Sequence, residues 1–150
     1  MPFETELRSF LVEAKQNTCA AGGDTQAEPS RLGAKDYPYV NDNYPYLDSY
    51  VGELDFAGQE VVWKDGSAVW AMNYFGATIT LIEGFPEFLF AALKQVSPEA
   101  PFRGSAHYSS ASFKYVCRWN GDLGKFNGEE QIIYQGKVIF SLLFHGGYVK

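Results

Sequence analysis

Two segments of the chain align without a gap, seventy positions apart. The first covers residues 56–76 and reads FAGQEVVWKDGSAVWAMNYFG, and the second covers residues 126–146 and reads FNGEEQIIYQGKVIFSLLFHG. The identical positions are Phe56/Phe126, Gly58/Gly128, Glu60/Glu130, Gly66/Gly136 and Gly76/Gly146. An internal repeat predicts a pseudo-symmetric fold. It also makes Glu60 and Glu130 a matched pair of acidic side chains among apolar neighbours.

Each repeated segment has the pattern of a β-hairpin. Asp65 and Gly66 separate two β-prone runs in the first segment, and Gln135 and Gly136 take that place in the second. A type I′ turn needs positive φ at both central residues, a conformation that glycine adopts freely and aspartate tolerates. Both segments therefore predict a pair of antiparallel strands.

Apolar side chains recur at helical spacing over residues 4–16 and again from Pro86 to about Val96. Such a stripe is typical of a helix that packs on a core, and proline suits the first turn of a helix. Further strands are expected over residues 46–51 and 113–119. We therefore predict an α+β fold made of two pseudo-symmetric repeats, each a helix plus three strands. The repeats form a strongly curved, mainly antiparallel sheet packed against two helices.

The chain length suits a single domain over residues 1–150. Within this domain, the internal repeats cover approximately residues 3–76 and 85–147. Unrelated aromatic hairpins also share glycines and alternating apolar residues, and five identities in twenty-one positions do not exclude that alternative. The gap-free alignment and the helix before each hairpin favour duplication.

The part of the chain before the first hairpin has two unusual segments. Residues 17–35 are rich in small residues and lack periodicity, which predicts a long loop. This loop is either a lid over a site or a disordered insertion, and we favour the insertion. Residues 36–52 are rich in tyrosine. Because proline cannot donate to a strand ladder, Pro38 and Pro45 confine this segment to sheet edges or strand starts.

Charge and cysteine content exclude several classes of function. The net charge is −6, and only twelve Lys and Arg residues are present, so we expect no direct contact with nucleic acid. Cys19 and Cys117 lie in no metal-binding or redox spacing, and no cofactor is predicted. The N-terminus does not resemble a secretory signal, and no segment is long and apolar enough to span a membrane. These observations predict a cytoplasmic protein with no membrane partner.

Counting cross-strand pairs outward from each turn assigns side chains to the two faces of each hairpin. This count places polar and aromatic side chains of both halves on corresponding faces: Phe56, Glu60, Asn73, Phe75, Phe126, Glu130, Ser141 and His145. On the other face, Trp70, Met72 and Tyr74 are expected beneath the helices. A concave apolar surface with a few polar groups is the usual form of a small-molecule site. We therefore predict a pocket for an aromatic or cationic ligand.

Three alternatives to this ligand site remain open. Each glutamate can instead form a buried ion pair with Arg31, Arg103 or Lys35. The Glu60/Glu130 pair can serve as general acid and base in a small hydrolase or isomerase. Exposed tyrosines of residues 36–50 can bind a protein partner or a second copy of the chain as a homodimer. Nucleophile elbows, phosphate loops and helical zinc motifs are absent from the sequence, so no catalytic residue and no metal ligand is assigned.

The chain resembles a bacterial family of domains of unknown function. The resemblance rests on residues 56–66 and 70–76, on their counterparts within residues 126–147, and on two shorter segments, SRLGAKD at residues 30–36 and PFRG at residues 101–104. Members of that family occur alone or C-terminal to helix-turn-helix domains of the phage-repressor type. The resemblance implies an effector-sensing role without catalysis, and it supplies no ligand. We therefore expect a non-catalytic, small-molecule-binding domain.

Overall fold

The computed structural model describes residues 2–18, 26–41 and 44–150. Two helices and eight strands follow each other in this order: α1 (Pro2–Gln16), β1 (Lys35–Asn41), β2 (Tyr44–Gly52), β3 (Asp55–Lys64), β4 (Ser67–Thr78), α2 (Phe85–Leu93), β5 (His107–Ser110), β6 (Phe113–Asp122), β7 (Lys125–Tyr134) and β8 (Lys137–Tyr148). Four strands follow each helix, so the prediction of three strands per half is wrong. The short strands β1 and β5 account for the difference. Part of the predicted lid or insertion, residues 19–25, lies outside the described residues.

All eight strands form one antiparallel sheet in the order β1-β2-β3-β4-β8-β7-β6-β5. The predicted α+β class and antiparallel sheet are confirmed, and within the described strands the sheet does not close on itself. Pro38 lies in the edge strand β1, and Pro45 is the second residue of β2. Both positions agree with the rule that keeps proline out of central strand ladders.

Two hairpins meet at the centre of the sheet, where β4 pairs with β8. Asp65 and Gly66 have φ values of 51° and 81°, and Gln135 and Gly136 have φ values of 50° and 78°. These values confirm the two predicted turns. Just beyond each turn the register shifts by one residue, between Val62 and Trp63 in β3 and at the corresponding place in β7.

The register shift decides which side chains share a face. Val62 pairs with Trp70 while Trp63 pairs with Ala68, so Val69 is an extra residue without a cross-strand partner. Such a β-bulge moves every later side chain of its strand to the opposite face. As a result, Glu60 lies opposite Met72, whereas a regular two-residue hairpin about Asp65 and Gly66 would place it opposite Ala71. Trp70, Met72 and Tyr74 of β4 thus lie on the face covered by the helices, as predicted. The prediction is wrong for Glu60, which lies on that same face, and by the same shift it is wrong for Glu130.

Both helices pack on the same face of the sheet, which we call the helix side. From α1, Leu7 and Leu11 are buried in one continuous core with Trp70 and Met72 of β4. The α2 side chains of Phe88, Leu89 and others enter the same core, where the Phe85 ring lies 5.3 Å from that of Phe140. Neither helix of the described chain has the length and apolar character needed to cross a membrane.

Candidate functional site

The two matched glutamates are buried on the helix side, with exposed fractions of 2% for Glu60 and 0% for Glu130. Glu60 accepts hydrogen bonds from the ammonium group of Lys15 and, at 2.8 Å, from the hydroxyl group of Tyr46. Lys15 belongs to the last turn of α1. Glu60 is thus a buried ion-pair partner, and its cation differs from the three that the sequence suggested.

Glu130 has a similar environment in the second half. The Arg103 guanidinium donates from Nε at 3.1 Å and from a terminal nitrogen at 2.8 Å, and the hydroxyl of Tyr115 donates to Glu130 as well. The predicted alternative of an Arg103–Glu130 ion pair is confirmed. Burial raises the pKa of Tyr115 well above its ordinary value, and the charge of Glu130 raises it further.

The two glutamates do not meet. Glu60 lies on β3 and Glu130 on β7, with β4 and β8 between them. Three inter-strand spacings correspond to about 14 Å. Since each carboxylate also has its own cation, the pair does not fit the geometry of an acid and a base that act on one small substrate.

Four of the predicted site residues lie on the face away from the helices, which we call the open side. Asn73 and His145 are direct cross-strand neighbours there, and Phe75 is 54% exposed. Ser141 lies on the same side, because it alternates with the buried Leu142. The prediction put these residues on the same face as the glutamates, and the β-bulges explain that error because they reverse the orientation of one strand relative to its partner. These four residues are therefore not brought together with the two glutamates.

The phenylalanines of the predicted site lie on the helix side. Phe126 is buried. The centre of its ring lies 4.2 Å from the ring centre of Phe102 and 5.7 Å from that of Trp70. Phe56 is half-buried, and it borders the cavity described next.

A cavity of about 340 Å³ lies between the sheet and α2. Most of its wall is apolar or aromatic, and the side chains that form it include Tyr50, Phe56, Tyr74, Phe85, Leu89 and Leu93. The exposed side chains of Leu54 and Leu81 border its mouth. These leucines expose apolar surface to water at the rim of the cavity, and a bound ligand would cover that surface.

Few polar groups reach the cavity. At the mouth, the ammonium group of Lys35 lies 3.9 Å from a Glu53 carboxylate oxygen and 5.7 Å from the centre of the Tyr50 ring. At the buried end, the Arg103 guanidinium lies 5.4 Å from the centre of the Tyr74 ring. Because Arg103 is also paired with Glu130, its charge is already compensated.

Asp48 lies directly behind this wall. It is fully buried, and its Oδ1 accepts a hydrogen bond of 2.5 Å from the Tyr74 hydroxyl. Its Oδ2 has no hydrogen-bond partner among the described residues. Burial raises the pKa of Asp48 to about 7, and the negative charge of Glu60 contributes to the increase. Asp48 is not among the site residues predicted from the sequence, although its position between Tyr46 and Tyr50 in an alternating strand indicates a side chain on the same face as these tyrosines.

The tyrosine-rich segment is less exposed than the interaction alternative assumes. Tyr37, Tyr44 and Tyr46 are buried. Tyr39 is half-buried and donates its hydroxyl to Glu13 of α1 at 2.7 Å. These tyrosines make contacts within the chain, so their number alone does not indicate a surface for a partner.

Comparison with known proteins gives a family and no function. No curated protein and no solved structure is significantly similar to the chain. The family model for the domain of unknown function DUF5680 matches residues 48–149, which begin within β2 and include β3 to β8 and α2. Because this match covers more than half of the 150 residues, the chain belongs to the DUF5680 family.

Proposed function

We propose that the chain is a small-molecule-binding domain of the effector-sensing type and that it does not catalyse a reaction. The observation that supports this proposal is the cavity between the sheet and α2. Its volume of about 340 Å³ falls within the range of ligand pockets. Such pockets combine apolar walls with a few polar groups, and this cavity has both.

The wall chemistry favours an aromatic or cationic ligand. The rings of Tyr50, Phe56 and Tyr74 border the cavity, and aromatic rings bind other rings by stacking and cations through their negative faces. Thr78 adds a hydroxyl group to the wall. A ligand of this class would also cover the exposed leucines at the mouth.

The acid–base alternative has weaker support. General acid–base catalysis needs two groups within reach of one substrate, one of which holds a proton near neutral pH. Glu60 and Glu130 lie on separated strands, and each has its own buried cation. These contacts account for both glutamates without catalysis.

We also propose that the two halves arose by duplication. The strand order is symmetrical about the β4–β8 pair, and both hairpins have a register shift at equivalent positions seventy residues apart. The resemblance to domains that follow phage-repressor-type helix-turn-helix modules suggests a regulatory, cytoplasmic role in bacteria. In that role, the domain would sense its effector by binding it in the cavity.

Fluorescence of N-phenyl-1-naphthylamine, a neutral aromatic probe, tests whether the cavity binds ligands. We expect saturable enhancement with the wild-type protein. Thr78→Trp, which fills the cavity, should abolish the enhancement. Thr80→Trp is the matched control, because Thr80 is exposed and is not part of the cavity wall, and this variant should bind as the wild type does. Equal binding by both variants would contradict the proposed site.

A further inference from the structure

The buried charges on the helix side do not balance. Among the described residues, the buried cations there are Lys15 and Arg103, and the buried carboxyl groups are Glu60, Glu130 and Asp48. Each glutamate has one cation within an ion pair. Asp48 has the neutral hydroxyl group of Tyr74 as its hydrogen-bond partner, and its other oxygen has no partner within the described part of the chain. An unpaired buried carboxylate is costly, so a protonated Asp48 is favoured in the empty protein.

The second half of the sheet shows that the fold does not require this acid. Asp48 lies opposite Glu60, and the residue opposite Glu130 is Cys117. Tyr74 lies opposite Gly58, and its ring fills the space that a Cβ would occupy there. Phe144 fills the corresponding space opposite Gly128. Cys117 and Phe144 therefore fill these positions in the second half without a carboxyl or hydroxyl group. The first half has the carboxyl group of Asp48 and the hydroxyl group of Tyr74 in their place.

The acid lies next to the cavity. Tyr74 forms part of the cavity wall and is hydrogen-bonded to Asp48. Tyr50, two residues after Asp48 on the same face of β2, forms part of the wall as well. A cation bound against these two rings would lie close to the Asp48 carboxyl group, because the Tyr74 hydroxyl donates directly to that group. Asp48 is inaccessible to solvent, and charges interact more strongly in such a buried environment than at the surface.

We propose that Asp48 is the counter-charge for an organic cation in the cavity, and that binding of the cation expels the proton that Asp48 holds in the empty protein. This inference rests on the proposed function of the cavity. In the exchange, the O–H bond of the Asp48 carboxyl group breaks, the proton leaves to solvent, and the carboxylate pairs with the cation. The net charge of the site is therefore conserved.

Several titratable groups surround Asp48 and set the pH range of the exchange. These groups are Tyr37 on β1, Glu60 on β3, Tyr74 on β4, Lys15 on α1 and Arg103 before β5. Burial raises the pKa of Asp48 to about 7, so the acid is mostly protonated at pH 6 and mostly ionised at pH 8.5. Proton release should thus depend on pH.

Phenyltrimethylammonium and tert-butylbenzene test the proposal as a matched pair, because they differ by a charged nitrogen in place of carbon. Titration calorimetry in two buffers of different ionisation enthalpy gives the number of protons released. At pH 6, the cation should release close to one proton per molecule bound, and at pH 8.5 almost none. The neutral isostere should bind without proton release at either pH.

Asp48→Asn removes the charge and retains a polar side chain of the same size. We expect this variant to bind phenyltrimethylammonium at least tenfold more weakly, to release no proton, and to bind tert-butylbenzene as the wild type does. Asp55→Asn, at an exposed aspartate of β3, is the control and should behave as the wild type. In wild-type protein, the ¹³C resonance of the Asp48 carboxyl group should move to its ionised position when the cation is added, which tests the proposal even if the variant does not fold.

The outcomes separate the two proposals. At pH 6, cation binding without proton release, or an unchanged Asp48 resonance, would overturn the proton exchange. Binding of tert-butylbenzene alone would also overturn it and leave the cavity as a binding site for neutral ligands. If neither probe binds, and N-phenyl-1-naphthylamine does not bind either, the proposed function itself fails.

Discussion

Asp48 and Glu60 are direct cross-strand neighbours on β2 and β3, and both carboxyl groups are buried on the helix side. Like charges placed directly opposite each other destabilise a sheet. Glu60 has a cation in Lys15, whereas Asp48 depends on Tyr74. Ionisation of Asp48 therefore opposes folding, and this corner of the core should respond to pH.

The first prediction is that Asp48 makes stability fall as pH rises. Its pKa is about 7 in the folded protein against 3.8 for an ordinary aspartate, so the folded state binds more protons between these values. The contribution of Asp48 should be fully present below pH 4 and lost by about pH 7, with a total of up to about 4 kcal/mol. Urea unfolding of wild type and Asp48→Asn at pH 5 and pH 8.5 measures this contribution of Asp48 to the free energy of unfolding. The variant should gain stability relative to wild type at the higher pH, and a constant difference would contradict the assignment.

The second prediction concerns the buried ion pair of the second half. Glu130→Gln leaves the Arg103 charge buried without its counter-charge, and we expect a loss of about 3–5 kcal/mol in the free energy of unfolding. Glu129→Gln is the matched control. It changes a half-buried neighbour on the open side, and its effect should stay within about 0.5 kcal/mol. Chemical denaturation at pH 7 measures both, and similar losses for the two variants would contradict the burial described for Glu130.

The third prediction concerns the second turn. Gln135 has a φ of 50°, a conformation that asparagine tolerates better than glutamine. Gln135→Asn should raise the free energy of unfolding by about 0.5–1 kcal/mol. Gln95→Asn, outside the positive-φ positions, should give no such gain. Thermal and urea unfolding would show the difference, and destabilisation by Gln135→Asn would argue against a type I′ turn.

The fourth prediction tests the faces that the β-bulges set. Phe144 is buried on the helix side, and Phe144→Ala should cost about 3–5 kcal/mol. Phe75 is exposed on the open side, so Phe75→Ala should change stability by about 0.5 kcal/mol or less. Denaturation curves of the two variants provide the comparison. Similar losses for the two variants, or a larger loss for Phe75→Ala, would contradict the faces described here.

Sequence patterns among neighbouring residues were enough to predict the turns and helices that interactions between neighbouring residues determine. Asp65 and Gly66 mark their turn because few residues tolerate positive φ, and the apolar spacing of Leu7 and Leu11 marks α1. These patterns involve neighbours in sequence, so one chain is enough to read them. The same applies to Pro38, whose missing N–H predicted an edge position.

Features that depend on distant contacts were not predictable in this way. No residue type near Val69 predicts a β-bulge, yet one extra residue in each hairpin places the two glutamates on the opposite face from Asn73 and His145. Lys15 and Glu60 are 45 positions apart, and only the packing of α1 on the sheet brings them together. The burial of Asp48, and the lack of a partner for its Oδ2 among the residues that the structure describes, likewise depend on distant contacts.

A nuclear Overhauser experiment on methyl-labelled protein with bound N-phenyl-1-naphthylamine locates the binding site. We predict contacts from the probe to the methyl groups of Leu89 and Leu93 on α2, which border the cavity. Contacts to Leu143, which is 62% exposed on the open side, or the absence of any specific contact would contradict a binding site between the sheet and α2.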